Sequence, residues 1–466
     1  MIPELIAQDW VALLPLLVLF FSSLLLLLLE SFSPLRAMKW GYFFTLASLL
    51  AAGVSTLYSG VSHNPALTQW IAFDTLARFF ALFFIAIGIG IVLISPFSQG
   101  EYFFLLLSSL IGLILIGASN DFLTLFLGIE ILSIPLYILC GYNKNQALSH
   151  ESAIKYFLTG ALATAFLVYG IALVYGAIGT TQFGKLLNHY QALQTSQDQF
   201  LFLAGIVFIT VALLFKAAIV PFHQWAPDVY AASPLSVTAL MAVGTKIGAF
   251  AALMRIFLIA LPQFNSEWNT LIAWLSAVTM IYANLVAIKQ MQLKRFFAYS
   301  GIAQAGFLLI PFASGVALTP LLFYLVIYAL ATLGCFSVLK TLNHSGKEPT
   351  LENLKGLFTH SPFLALFFSL CLLTLAGIPP TAGFLAKFFI LKEAFQTGYL
   401  GLGIIGLLVT VLSIYYYLRP VVYMLKESHR DQPLKSYGVV AAFASLSIVA
   451  ISFLPTPLWN FLGDLK

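Results

Sequence analysis

Four ionisable side chains lie inside stretches apolar and long enough to belong in a bilayer. They are Glu130 in DFLTLFLGIEILSIPLYIL, Lys216 in Phe200–Pro221, Lys246 in SVTALMAVGTKIGAFAALMRIF and Lys387 in LTLAGIPPTAGFLAKFFIL. A charge at that depth costs about 3 kcal/mol or more, so a chain rarely keeps one there without a task. Together the four suggest a route for ions or protons. Nothing charged lies within one helical turn of Glu130, so its partner must come from another helix, and Lys216 is the best candidate. An ammonium beside a carboxylate holds its proton, and one left alone in apolar surroundings releases it more readily. Such a pair can serve as a switch or stand as a static ion pair. Lys246 sits too deep in its span to snorkel easily to the interface. His223, two residues after Pro221, can relay protons near neutral pH or pack as a core histidine. Lys155, at the start of the sixth span, either links cytoplasmic water to the Glu130–Lys216 pair or is an ordinary interface lysine. Lys294 and Arg295 flank the tenth span as proton-handling or topology-setting residues, Arg255 reads as snorkelling or structural, and Asp228 is a candidate helix cap.

The elements that carry these residues are dictated by composition. Hydrophobic residues make up 61% of the 466 and charged residues 8%; a soluble domain carries about 25% charged residues. The expected fold is an all-α polytopic membrane protein with about fourteen spans of roughly 20 residues. Two spans are too long for plain helices and are broken by proline, one near Pro221 and one near Pro379 and Pro380. Proline removes a backbone donor and clashes with the preceding turn. The breaks are five spans apart, and an odd offset makes the two units cross in opposite directions, the plan of inverted repeats with discontinuous helices. The expected division is residues 1–100 as three N-terminal helices, 101–261 and 268–424 as the two repeats, and 425–466 as a last helix. Loop charges test the count. Arg36, Lys39, Lys144, Lys289, Lys294, Arg295, Lys340, Lys347, Lys355, Lys426, Arg430 and Lys435 fall in one alternate set, and few basic residues in the other. The positive-inside rule then puts both termini outside the cytoplasm. The residues before the first apolar run hold no Lys or Arg, so no cleavable signal peptide is expected. The net charge of +5 is a topology signal and not a nucleic-acid footprint. Cys140, Cys335 and Cys371 lie in apolar runs with no metal or disulfide spacing. No glycine-rich nucleotide motif, metal cluster or nucleophile–base set is present, so no cofactor or metal is expected on this chain.

The stretch FKAAIVPFHQWAPDVYAASPLSVTALMAVGTKIGAF, residues 215–250, resembles the core signature of the antiporter-like subunits of respiratory complex I and of multisubunit sodium/proton (Mrp) antiporters. FLGIEILSIPLYIL (126–139), ESAIKYFLTGA (151–161), KRFFAYSGIAQAGF (294–307) and LAGIPPTAGFLAKFFIL (375–391) extend the likeness over nearly the whole chain. Within the family it is most similar to the N-type branch. The length and Lys387 favour that branch, M-type members typically hold a glutamate there, and L-type members carry a long C-terminal lateral helix. The resemblance implies a proton-translocating membrane subunit of a bacterial inner-membrane NADH–quinone oxidoreductase. It implies M-like and K-like neighbouring subunits, with NADH, FMN, iron–sulfur clusters and quinone handled elsewhere in the complex. It assigns Glu130, Lys216, Lys246 and Lys387 to a hydrophilic axis, with His223 and Lys155 in support. Many members hold a histidine where this chain has Gln304, which puts a relay step there in doubt. A cation/proton antiporter subunit is the alternative, and a stand-alone transporter a third class.

Overall fold

Inside a bilayer no water can satisfy backbone N–H and C=O groups, so a chain this apolar must close its hydrogen bonds within helices. The computed structural model describes residues 7–32, 34–60, 62, 64–95, 100–262, 265–315, 318–342, 349–427 and 438–465. Among these the elements are helical, with three isolated bridges, Ile71↔Ser119, Asp121↔Gln182 and Gln292↔Thr350. Lys347, Arg430, Lys435 and Lys466 lie outside the described residues, as do the side chains of Arg36 and Lys39.

Among the described residues twelve helices are individually long and apolar enough to cross a membrane, and the bent pair Gly438–Phe453 and Thr456–Gly463 brings the count to 13. The expected twelfth span, 361–395, is divided into Pro362–Ala376 and Ala382–Gln396, each of 15 residues and each too short alone. Read as one discontinuous crossing, it completes the expected number. The first break falls near Pro221 as expected: Ser196–Ala217 is a helix of 22 residues, and the interruption follows it before Trp225–Ala232.

The chain forms two compact units. One comprises Met1–Lys216 with Gly244–Pro262 and Leu465; the other comprises Ala217–Val243 with Gln263–Asp464 and Lys466. In the first unit, Arg255 is buried and clamps three helices. Its Nε donates to the Gly117 carbonyl at 2.6 Å, and Nη1 and Nη2 donate to the two Asp74 oxygens at 2.9 Å each. Asp74 also caps the helix Thr75–Ile94, accepting from the Ala77 amide. Burial pushes the Asp74 carboxyl up, but the Arg255 guanidinium and the Ala77 amide outweigh it and hold the group below the usual carboxylate range. A lowered value means that the ion pair's contribution is complete above about pH 4 and fades only as acid protonates the carboxylate. Asp74→Asn is therefore expected to lower stability by a nearly constant amount between pH 6 and 8. Because its side chain is 46% exposed, the cost falls below that of a fully buried pair, at about 2 kcal/mol. Thermal unfolding of the solubilised complex at those two pH values measures it; an unchanged midpoint would remove the clamp from the account.

Candidate functional site: lysines at two helix breaks

The first break begins where Ser196–Ala217 ends, with Lys216 in the last turn. Ala218 takes a left-handed conformation, φ 57°, and Pro221 stands three residues on. An α-helix would close the Ala217 carbonyl on the amide of residue 221, and proline has none. The Val220 amide donates instead to Thr279 Oγ1 at 3.2 Å. Helix resumes at Trp225–Ala232. Lys216 is 4% exposed. Its Nζ donates to Ser133 Oγ at 2.7 Å and lies 5.5 and 5.4 Å from the ring centres of Tyr137 and Tyr156. Ser133 in turn donates to the Ile129 carbonyl, which leaves its lone pair for the lysine.

Glu130 lies one turn before Ser133 on the helix Phe122–Cys140 and is half-buried. Its Oε1 accepts from Thr164 Oγ1 at 2.7 Å. The carboxylate and the ammonium are thus brought to one neighbourhood, near enough to interact electrostatically. Each hydrogen-bonds to a hydroxyl, however, and not to the other. Ser133 was findable from sequence, since i and i+3 share a helix face; Thr164 on the next helix carried no such signal.

The second break has the same local build. Pro362–Ala376 ends in Gly377, φ 79°, again three residues before a proline, Pro380. Glycine is required twice over here, for the positive φ and because a Cβ would meet Lys387 Cδ at 2.7 Å. The Gly377 and Ile378 amides close the carbonyls of Leu373 and Thr374. Gly383 lets the second half-helix approach the first: a Cβ there would lie 1.8 Å from the Thr374 oxygen. Lys387, 3% exposed, donates from Nζ to the Ala376 carbonyl at 2.9 Å and stands 4.8 Å from the Phe307 ring centre. Pro221, Pro379 and Pro380 themselves are exposed.

Lys246 is 1% exposed. It opens the α-helical stretch Lys246–Leu253, between π-helical turns at Met241–Thr245 and Met254–Ala260. Such turns often mark functional positions. The Tyr328 hydroxyl donates to the Ala242 carbonyl in the first of them at 2.7 Å. Hydropathy gave no hint of either turn.

The supporting residues separate. Lys294 is buried and donates to the Ala231 and Ser233 carbonyls at 2.8 and 2.7 Å, capping the C-terminal end of Trp225–Ala232. His223 is buried with its ring edge-on to Tyr282 at 4.8 Å. Lys155 is half exposed and pairs with Glu151 at 2.7 Å along its own helix. Asp228 does not cap; it sits inside the first turn of its helix and pairs with Arg295 at 3.3 Å. The three cysteines are free and buried, and no group of three or more His, Cys, Asp or Glu among the described residues could hold a metal ion.

The NADH:quinone oxidoreductase/Mrp antiporter membrane family model matches residues 119–413, a stretch that contains both breaks together with Glu130, Lys216, Lys246 and Lys387. NADH-quinone oxidoreductase subunit N of Protochlamydia amoebophila is 52% identical over 479 aligned residues, covering 100% of this chain and 99% of the relative. A chain of respiratory complex I from Thermus thermophilus is 31% identical with a TM-score of 0.82, over 96% of this chain and 98% of that one. A chain of the Mrp complex from a Dietzia species shares the fold at a TM-score of 0.83 and 19% identity, over 99% of this chain and 97% of that one. With a full-length relative at this identity and the motif-bearing region inside the family model, the chain belongs to the NADH-quinone oxidoreductase subunit N family, within the antiporter-like membrane subunits.

Proposed function

We infer that this chain is a proton-translocating membrane subunit of a bacterial NADH–quinone oxidoreductase. Electron transfer from NADH to quinone, through FMN and iron–sulfur clusters, belongs to other subunits, and this chain moves protons. The observation that carries the reading is the pairing of Lys216 and Lys387 with neutral oxygens at two breaks of one build. A buried ammonium held by a hydroxyl or a carbonyl can give up its proton without leaving a bare carboxylate behind, so loading and release stay reversible. Both backbones are interrupted beside the lysine, which opens polar groups at that depth. Glu130 biases Lys216, Lys246 carries protons onward, and Lys387 loads last, towards the outer side. His223, Lys155 and Lys294 assist entry from the cytoplasm.

The recurrence of the break, with its left-handed residue and proline, supports two inverted repeats over 101–261 and 268–424. A second recurrence adds to it. The bridge Asp121↔Gln182 opens the Glu130 helix, and Gln292↔Thr350 opens the helix Leu293–Ser314, five spans later. With the basic loops inward, both termini lie outside the cytoplasm, in the inner membrane, beside M-like and K-like neighbours. The antiporter alternative shares the fold and little identity.

Lys387→Ala in the assembled complex tests the function. Proton pumping should fall by about tenfold or more, and Lys387→Glu should keep part of it, since a carboxyl also carries a proton. Equal pumping by the alanine and wild-type complexes removes Lys387 from the path.

A further inference from the structure

An α-helical carbonyl at position i closes on the amide at i+4. Pro379 and Pro380 have no amide hydrogen, so two consecutive buried carbonyls, those of Leu375 and Ala376, lose their partners. The structure supplies side-chain donors to both, with the Ser413 hydroxyl also reaching the Ala376 oxygen at a longer 3.5 Å. Lys387 Nζ reaches the Ala376 oxygen at 2.9 Å, and Gln304 Nε2 reaches the Leu375 oxygen at 2.8 Å from the helix Leu293–Ser314. Gln304 is buried, and its amide is held at every point. Nε2 also donates to Tyr417 Oη at 2.9 Å, and Oε1 accepts from the Tyr324 hydroxyl. Turning the amide over would set its oxygen against the Leu375 oxygen, so the orientation is fixed by the carbonyl it serves.

We propose that Gln304 is a positioning residue for Lys387. By anchoring the Leu375 carbonyl it keeps the next carbonyl, Ala376, turned towards the lysine, and so fixes the ammonium between that oxygen and the Phe307 ring. An amide has no proton to relay at neutral pH; its contribution is to orient the break. The inference rests on Lys387 carrying protons, and the test separates the two.

Gln304→Leu keeps the volume and removes the donor. In the assembled complex it is expected to lower proton pumping and quinone-linked turnover on the order of tenfold, since ångström-scale misplacement of a reacting group costs at least that much. Gln304→His, which restores an N–H donor, should recover most of the loss. Combined with Lys387→Ala, Gln304→Leu should add nothing to the lysine variant, whereas a residue that only supports packing would add its own loss. A structure of Gln304→Leu should show Lys387 Nζ away from the Ala376 oxygen. Lys387 found unmoved overturns the positioning role whatever Lys387 does. Lys387 displaced with pumping intact overturns the proton role of Lys387 instead, and the functional part of this proposal with it. Should the leucine variant fail to assemble, Gln304→Asn, one methylene short of the carbonyl, is read in the same way.

Discussion

Lys216→Ala is expected to abolish most proton pumping in the assembled complex, by about tenfold or more, because proton transfer by a positioned group contributes at least that much where it is obligatory. The alanine removes the ammonium that donates to the Ser133 hydroxyl. It also leaves Glu130 with Thr164 as its hydrogen-bond partner and without the nearby Lys216 ammonium. Because Lys216 and Glu130 are not locked in a direct ion pair, a small displacement of either alters their coupling, which a switch requires. Pumping is read as acid release per NADH in sealed membrane vesicles, with assembly checked on a native gel. Full pumping by an assembled Lys216→Ala complex sinks the assignment.

Lys246→Arg should impair both pumping and quinone-linked electron transfer, although the charge is conserved. Arginine keeps its proton below a pKa of about 12 or more, so it cannot release one within a turnover. Lys246 is 1% exposed and stands at a change of helical pitch, where the added bulk of a guanidinium has little room. Tight coupling then stalls the redox step when protons cannot move. NADH–quinone activity and proton uptake in membranes carrying the variant measure this. Wild-type rates would mean that Lys246 acts only as a fixed charge and that water and hydroxyls carry the proton.

The spans and the breaks were legible in the sequence for a simple reason. A bilayer forbids open backbone, so apolar runs must be helices and prolines must interrupt them. Glu130, Lys216, Lys246 and Lys387 were legible because a charge inside an apolar span is costly. Their partners were not. Ser133, Thr164 and the Ala376 carbonyl are neutral groups with no distinguishing pattern, and one hydroxyl among many apolar residues looks like any other. The Arg255–Asp74 clamp joins residues 181 apart, a separation at which no periodicity speaks. Reading Asp228 as a cap failed because its carboxylate finds Arg295 on another helix first. The last span was expected as one helix, and the chain bends by 87° before Thr456–Gly463.

That clamp also sets a timetable for making the protein. A ribosome adds roughly 5–20 residues per second, so Asp74 enters the membrane interface about 10–40 s before Arg255 is synthesised, 181 residues later. Throughout that interval the cap of the fourth described helix, Thr75–Ile94, holds an unneutralised carboxylate. Gly244–Pro262, which completes the first unit, emerges only after Ala217–Val243 of the second has left the ribosome. Nascent chains halted before residue 255 should therefore remain open to proteases and to insertion chaperones, and chains halted far enough beyond Pro262 for that segment to have left the ribosome should not. The geometry of one arginine turns the order of the sequence into an order of assembly.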